Sequence, residues 1–89
     1  MEDFHKLERQ MKALSNAKRL QILSYIKSRK RAAVSEIANA IHLSIFATSH
    51  HLRILKSAEI VEYKKRARFV YYRLSLKQVE PIKKVLSLL

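Results

Sequence analysis

The sequence predicts an α+β fold that is mainly α-helical and carries one small β-hairpin. Apolar residues recur every three or four positions over most of the chain, which is the period of an amphipathic helix. One stretch differs: IVEYKKRARFVYYRLS is rich in Val, Tyr and Phe, and its polarity alternates around a cationic break. The 89 residues suffice for one small domain, 1–89, and no repeat, low-complexity tract or Pro/Gly linker divides them.

Two helices are predicted at the start of the chain. Asp3 is suited to cap the first helix and Asn16 the second, since both residue types favour that position. The apolar side of the first helix consists of Phe4, Leu7, Met11 and Leu14. That of the second consists of Leu20, Leu23 and Ile26. We expect the second helix to end at the basic run KSRKR, which we interpret as a loop from Lys27 to Arg31.

The next two predicted helices are short and closely spaced. One follows Ser35 and carries Ile37 and the pair Ala40–Ile41. The other begins after His42–Leu43, with Ser44 as its cap. Its inward side consists of Ile45, Thr48, Leu52 and Leu55. Two short helices joined by a tight turn have the dimensions of a helix-turn-helix.

A hairpin and a fifth helix complete the chain. The two hairpin strands are expected at roughly 60–65 and 68–74. Pro81 would cost about 3 kcal/mol inside a helix that began at Ser75. We therefore expect a turn over 75–79 and then a helix with Pro81 near its first position. The apolar side of this helix consists of Ile82, Val85, Leu86 and Leu89.

The excess of positive charge narrows the class of partner. Nineteen Lys and Arg residues against seven Asp and Glu residues give a formal net charge of +12. Such an excess in a small domain indicates a polyanionic partner, either nucleic acid or an acidic membrane surface. The alternative is a surface charged only for solubility, but such surfaces normally mix both signs.

The expected location is the cytoplasm, in association with the nucleoid. No apolar run approaches the ~20 residues that cross a bilayer, and MEDFHKLERQ at the N-terminus lacks the apolar core of a signal peptide. We therefore expect no membrane partner. The sequence has no cysteine, and hence no disulfide or thiolate metal site, which fits a reducing compartment.

The sequence shows no arrangement of residues typical of a catalytic site or a metal site. The chain has no nucleophile with a base and an orienting acid at recognisable spacing, and no glycine-rich phosphate loop. His50 and His51 are neighbours on a predicted helix and diverge by about 100°, so they cannot clamp one ion as an i, i+4 pair does. We expect no catalytic residue, no cofactor and no metal site. A histidine site across a dimer interface is the alternative.

Nucleic-acid binding accounts for more of the chain. The outward side of the fourth helix carries short or basic side chains, which suit a helix lowered into the major groove. The residues of this helix expected at DNA are Ser44, Phe46, Ala47, Ser49, His50 and Arg53. The hairpin tip KKRAR adds cations that would neutralise phosphates or enter the minor groove, namely Lys64, Lys65, Arg66 and Arg68.

Each of these two features has an ordinary interpretation by itself. The helix could present a solvated face, and the hairpin could be a protective cationic edge strand. Together, in this order and with the large net charge, they favour a winged helix-turn-helix made of four helices, a hairpin and a fifth helix.

Four stretches also carry a family resemblance: KALSNAKRLQIL (12–23), VSEIANAIHLS (34–44), TSHHLRILKSAEIV (48–61) and RFVYYRL (68–74). They contain a Leu-x-x-x-x-Arg-Leu-x-Ile-Leu helix, a Ser-x-His-Leu helix and a Tyr-Tyr-x-Leu strand. On these motifs the chain resembles the arsenic-repressor (ArsR/SmtB-like) winged helix-turn-helix transcription regulators over nearly its whole length.

The resemblance implies a homodimeric repressor that binds an imperfect palindrome in double-stranded DNA. It implies that Ser49 and His50 belong to the DNA-reading surface, with His51 nearby, so His51 is also counted among the expected DNA-binding residues. It also implies a dimer interface formed by the terminal helices. From the two apolar sides described above, we expect that interface to consist of Phe4, Leu7, Met11, Leu14, Ile82, Val85, Leu86 and Leu89.

The chain departs from the family pattern in its metal ligands and its glycines. Where many members have metal-binding cysteines, near the third helix, this chain has Ala33 and Ser35. The last helix has no histidine, and its stretch VEPIKKVLSLL offers only Glu80. Both inherited metal sites are therefore missing, and the effector is unknown. Glycines of the family are replaced by His42, Glu59 and Ala67, so these turns either are strained left-handed turns or take other conformations.

We interpret the chain as a homodimeric DNA-binding regulator that acts as a repressor and lacks the usual metal sites of the family. The main alternative is a sequence-indifferent protein that coats the nucleoid through the same charges. Another is a winged helix that contacts protein through Phe46.

Overall fold

The computed structural model describes residues 3–89. Within them, five helices and three strands follow one another as α1 (Phe4–Leu14), α2 (Ala17–Arg29), β1 (Ala32–Ala33), α3 (Val34–Ile41), α4 (Ile45–Ser57), β2 (Val61–Arg66), β3 (Phe69–Leu74) and α5 (Glu80–Ser87). The predicted fold class is confirmed. None of these helices has both the length and the apolar character that a membrane crossing requires.

The three predicted N-caps are confirmed by hydrogen bonds. The Asp3 carboxylate accepts from the backbone N–H of Lys6 at 3.1 Å. The Asn16 side-chain oxygen accepts from Arg19 at 3.0 Å, and the Ser44 hydroxyl accepts from Ala47 at 3.0 Å. Each bond satisfies a backbone donor that the helix itself leaves open, which is why these helices begin where they do.

Two helix boundaries differ from the prediction. Residues 27–29 are helical, so the predicted loop over Lys27–Arg31 was wrong in its first half. Lys and Arg are good helix formers, and nothing in this run interrupts the helix before Lys30, where φ is 73°. The third helix begins at Val34 instead of after Ser35, since the extended strand before it leads directly into the helix.

The wing is a three-stranded antiparallel sheet in the order β1-β3-β2. The predicted hairpin is confirmed, with register running from Val61 opposite Leu74 to Arg66 opposite Phe69. The expectation of only two strands was wrong, because Ala32 and Ala33 pair with Tyr72 and Tyr71. A strand of two alanines has no alternation to detect, so the sequence pattern could not reveal it.

The core lies between the helices and the inner side of the sheet. Its fully buried side chains include Leu23, Ile26, Ile37, Leu52 and Leu55. Ile45, predicted to face inward on α4, is 58% exposed, because it occupies the first turn of the helix, beyond the edge of the core.

The glycine-free turns are left-handed, which settles the question raised by the sequence. The φ angles are 59° at His42, 62° at Glu59 and 54° at Ala67. At His42 and Glu59 this backbone lets the next N–H reach back to close the helix, from Leu43 to Ala38 and from Ile60 to Leu55, both at 3.0 Å. The strain costs roughly 1–2 kcal/mol per residue.

The turn before α5 is confirmed, with Pro81 in the first turn of the helix. The Gln78 side-chain nitrogen donates to the carbonyls of Ile60 at 2.8 Å and Ser75 at 2.9 Å. These bonds tie the turn to the end of α4. At the other end of α5, the Lys27 ammonium donates to the carbonyls of Leu86 and Leu89, both at 3.0 Å, and so caps the helix.

Candidate nucleic-acid interface

The helix-turn-helix consists of α3, the turn at His42–Leu43 and α4. Helix α4 buries Thr48, Leu52 and Leu55 against the core. The opposite side of the helix therefore faces solvent over its whole length. On that side or at its border lie the predicted DNA contacts of this helix, Ser44, Phe46, Ala47, Ser49, His50 and Arg53.

These six side chains differ in what they can still offer a ligand. Phe46 is 81% exposed, and His50 and Arg53 are exposed as well. Ala47 and Ser49 are half-buried, so they lie at the foot of the exposed side. The Ser44 hydroxyl already accepts the cap bond and retains its proton for a further acceptor.

His51 does not lie on the exposed side of α4 with His50. It is half-buried, and its Nδ1 lies 3.2 Å from Nη1 of Arg19, whose Nε also donates to the Ala13 carbonyl at 2.6 Å. Arg19 has no acceptor, so His51 Nδ1 accepts this bond and the ring proton is on Nε2. Burial lowers the pKa of His51, and the charges of Arg19 and His50 lower it further. His51 therefore ties α4 to the α1–α2 junction as a neutral imidazole, a role that no local sequence signal indicated.

The four predicted cations of the wing do not share one face. Side chains alternate along a strand, so Lys64 and Arg66 point to one side of the sheet and Lys65 to the other. Arg68 lies at the turn, with its guanidinium carbon 5.9 Å from the centre of the Phe69 ring. All four are exposed. The wing thus presents charge at its tip and on both faces.

A groove separates α4 from the inner side of the wing. It has a volume of about 520 Å³, and its lining includes Ser49, Arg53, Lys56, Tyr63 and Tyr72. The Lys56 ammonium lies 5.2 Å from the centre of the Tyr63 ring. Burial raises the pKa of Tyr72, the Tyr63 ring adds to this, and Arg53 opposes it. Tyr72 is therefore a neutral wall of the groove, and the positive charge in the groove comes from Arg53 and Lys56.

Lys56 was not predicted as a site residue. Its signal was present, since it follows Arg53 by three positions and such residues share one side of a helix.

The cations of this interface are free of carboxylates. Among residues 3–89, the ion pairs are Lys6–Glu59, Lys12–Glu8 and Arg73–Glu62. None of them involves α4 or the wing tip. The positive charge there is consequently uncompensated, which is the condition for binding phosphates.

The residues predicted for a dimer interface fall into two groups. Phe4 is 70% and Met11 58% exposed, and together with Leu7 they border an apolar hollow of about 490 Å³ on α1. Val85 and Leu89 are half-buried. The other three, Leu14, Ile82 and Leu86, are buried in the core of the single chain. The surface still available to a partner is therefore smaller than the two predicted stripes.

Side chains that could hold a metal ion do not gather in the described part of the chain. No group of three or more His, Asp or Glu residues within 3–89 lies close enough to share an ion.

The comparisons with known proteins agree on one family. The sequence model of the family described as "Bacterial regulatory protein, arsR family" matches residues 16–63. The chain is 37% identical over 71 residues to a cadmium resistance transcriptional regulatory protein CadC homolog of Staphylococcus aureus, covering 80% of this chain and 59% of that protein. The chain spans about half the length of the curated relatives it matches.

Solved structures of similar proteins cover more of the chain. HlyU from Vibrio cholerae superposes with a TM-score of 0.82 at 32% identity, covering 99% of this chain and 92% of that one. The homodimeric winged helix-turn-helix DNA-binding domain of Mb0332 from Mycobacterium bovis, a possible ArsR-family regulator, gives a TM-score of 0.82 at 32% identity, covering 96% and 75%. The matched segment, the shared fold and the identity over most of the chain together show that this protein is a winged helix-turn-helix member of the arsR family of bacterial regulatory proteins.

Proposed function

We propose that the protein is a sequence-specific transcription regulator that binds double-stranded DNA as a homodimer and represses transcription. The observation that carries this proposal is the positive charge on the outward side of α4 and at the wing tip, which has no carboxylate partner among residues 3–89. An enzyme is not proposed, since the family is one of regulators.

In the proposed complex, α4 enters the major groove with its first turns towards the base edges. His50 and Arg53 then reach bases, and the Ser44 and Ser49 hydroxyls reach bases or phosphates. Phe46 is suited to a thymine methyl group, the apolar feature that the major groove offers. The cations at the wing tip, with Lys56 in the groove behind them, neutralise phosphates on either side.

A two-fold symmetric dimer would bring two such surfaces to one duplex. The exposed apolar residues Phe4 and Met11 on α1 support dimerisation. They border the same hollow, and large exposed apolar side chains that lie together favour burial by a second copy of the chain. The Mycobacterium bovis structure is homodimeric, which also supports it. We infer that the target is an imperfect palindrome, since half-sites mirror the symmetry of the protein.

Repression is the proposed direction of regulation. Relatives include a transcriptional repressor, SdpR of Bacillus subtilis, at 38% identity, and a transcriptional activator, HlyU of Vibrio cholerae, at 36%. A small DNA-binding domain can repress most simply by occupying the promoter. We further propose that the usual metal sites of the family are missing, since Ala33 and Ser35 replace the cysteines that the resemblance leads one to expect.

Selection of bound sequences from a random DNA pool tests the proposal. An enriched palindrome with two half-sites about one helical turn apart supports it. Random sequence among the bound molecules would instead support the alternative, a nucleoid-coating protein that uses the net charge of +12 without reading bases. A reporter placed behind the selected sequence then measures whether transcription falls in the presence of the protein. A rise in transcription would contradict the proposed repression but would leave sequence-specific DNA binding standing.

A further inference from the structure

The face of the wing sheet turned away from α4 combines cations with aromatic rings. Tyr63, which Lys56 of α4 covers, marks the inner face, so alternation puts its neighbours Glu62 and Lys64 on the outer one. Arg31, the residue before β1, joins them with its guanidinium carbon 5.4 Å from the centre of the Tyr71 ring. We define the outer wing face as Arg31, Glu62, Lys64, Arg66, Phe69, Tyr71 and Arg73.

This face encloses a cavity of about 440 Å³. Its lining includes Arg31, Glu62, Lys64, Arg66, Tyr71 and Arg73. Sites for small ligands in proteins usually measure roughly 300–1,000 Å³. The cavity is therefore large enough for a small molecule. Tyr63 and Tyr72 line both this cavity and the groove between α4 and the wing, whereas the charged residues of the cavity do not line the groove.

The charges of the cavity select an anion. Arg73 is held by Glu62, to which its Nη2 and Nε donate at 2.6 and 2.8 Å. Arg31, Lys64 and Arg66 have no carboxylate partner among residues 3–89. Both bonds from Arg73 end on Oε2 of Glu62, which leaves Oε1 open to a further donor, such as a hydroxyl group.

The rings of the face select a planar ligand. Phe69 and Tyr71 lie with their centres 6.3 Å apart, inclined by 50°, and Phe69 is exposed. Each ring already has a guanidinium over it, Arg31 at 5.4 Å from the Tyr71 centre and Arg68 at 5.9 Å from the Phe69 centre, and a planar guanidinium is itself a surface on which a flat ligand can stack. A planar base can stack on them whatever its identity, because every base has a π-face.

We propose that the outer wing face is a binding site for a free nucleoside phosphate. The base stacks on the Arg31 guanidinium that covers the Tyr71 ring, the phosphates contact Lys64 and Arg66, and a ribose hydroxyl donates to Glu62. Binding at this site needs no DNA.

One consequence does rest on the proposed function. If Lys64 and Arg66 contact DNA phosphates, a nucleotide on the outer wing face removes those contacts and weakens DNA binding. The nucleotide would then act as an effector.

Titration of the full chain without DNA tests the site directly. Amide chemical shifts are followed as ATP is added, with inorganic triphosphate and adenosine as separate probes. We expect saturable shifts centred on β1, β2 and β3, and ATP bound roughly tenfold more tightly than triphosphate, as one stacking contact provides. Equal affinities for ATP and triphosphate, or shifts centred on α4, would overturn the proposal.

Neighbouring lysines supply a matched pair of variants. Lys64→Ala removes a cation from the outer wing face, whereas Lys65→Ala removes one from the inner face of the same strand. We expect the first to weaken ATP binding roughly tenfold and the second to leave it unchanged. Equal losses would mean that ATP senses only net charge, which overturns the site. Since no DNA is present, a failed operator selection would leave these results standing, and the two proposals fail separately.

Discussion

Gln10 and Ala58 join the first helix to the end of the recognition helix. The Gln10 side chain is buried, and its Nε2 donates to the Ala58 carbonyl oxygen at 3.0 Å. Lys6 extends this junction with an ion pair of 2.7 Å to Glu59. Because α1 also carries the exposed apolar residues proposed for dimerisation, the junction would set the angle between the proposed dimer interface and the proposed DNA-binding side of α4.

Gln10→Ala should destabilise the protein by about 1–3 kcal/mol, because it removes the donor to the Ala58 carbonyl. Urea unfolding measures the change. Arg9→Ala, on the exposed side of the same helical turn, serves as the control and should cost much less. Equal losses in the two variants would contradict a specific contribution of the buried hydrogen bond, since alanine has the highest helix propensity at either position.

The helix and the wing should contribute differently to DNA binding. Arg66→Ala should weaken binding to operator and to random DNA in parallel, and should make the salt dependence shallower by roughly one unit of slope. Arg53→Ala or His50→Ala should cost about 1–3 kcal/mol on the operator and less on random DNA. Binding titrations of each variant on both DNAs at several salt concentrations measure this. Loss of discrimination in the wing variant alone would reverse the two assignments.

The wild-type chain should be a dimer at micromolar concentration, as measured by sedimentation. Met11→Asp should shift it towards monomer, because it puts a charge into the apolar hollow of α1. Leu76→Ser, at a residue 82% exposed in the turn before α5, is the control for the loss of an exposed apolar side chain and should leave the dimer intact. A wild-type monomer that binds operator tightly would contradict the proposed interface.

Zinc, cadmium and arsenite at low micromolar concentration should leave DNA affinity unchanged. The sequence has no thiolate, and the described histidines do not gather with other ligands. Operator binding is measured with each ion and again after addition of a chelator. A loss of roughly tenfold or more that the chelator reverses would reveal a site shared between two protomers.

The free energy of unfolding should decrease as pH decreases, because His51 becomes protonated more readily in the unfolded chain than in the folded one. Burial, then the charges of Arg19 and His50, lower the pKa of this imidazole in the folded chain below its ordinary 6.5. The unfolded chain therefore binds the proton first, so the stabilisation is complete above pH 6.5 and is lost as pH falls below it and through the folded pKa.

His51→Gln tests this, because an amide oxygen can accept from Arg19 but does not titrate. Between about pH 7.5 and about 5.5, the unfolding free energy of this variant should fall less than that of the wild type. His50→Gln removes one of the charges that lower the pKa of His51, so its unfolding free energy should fall less than that of the wild type and more than that of His51→Gln. A steeper fall in His51→Gln than in the wild type would refute the assignment.

Local chemistry explains what the sequence revealed of the fold. Asp3, Asn16 and Ser44 marked helix starts because their side-chain oxygens satisfy nearby backbone donors, and Pro81 marked the start of α5 because of its fixed φ. These effects act within a few residues, so they can be read from the chain alone.

What the sequence did not reveal depends on partners distant in the chain. Ala32 becomes a strand residue only beside Tyr72, and His51 turns inward because Arg19 lies across the α1–α2 junction. Likewise, alternation separates Lys64 from Lys65, but which of them faces α4 follows only from the position of Lys56 over Tyr63. The order of the elements and the charged wing tip could be predicted from the sequence. The division of the site into an inner groove and an outer wing face could not.

The left-handed residues have a consequence for the denatured protein. A chain without glycine has fewer backbone conformations when unfolded, so it loses less entropy on folding. His42→Gly would relieve strain at the end of α3, but it would also enlarge the unfolded ensemble at that position. The two effects oppose each other, so a chain with strained turns can still gain from having no flexible residue to order.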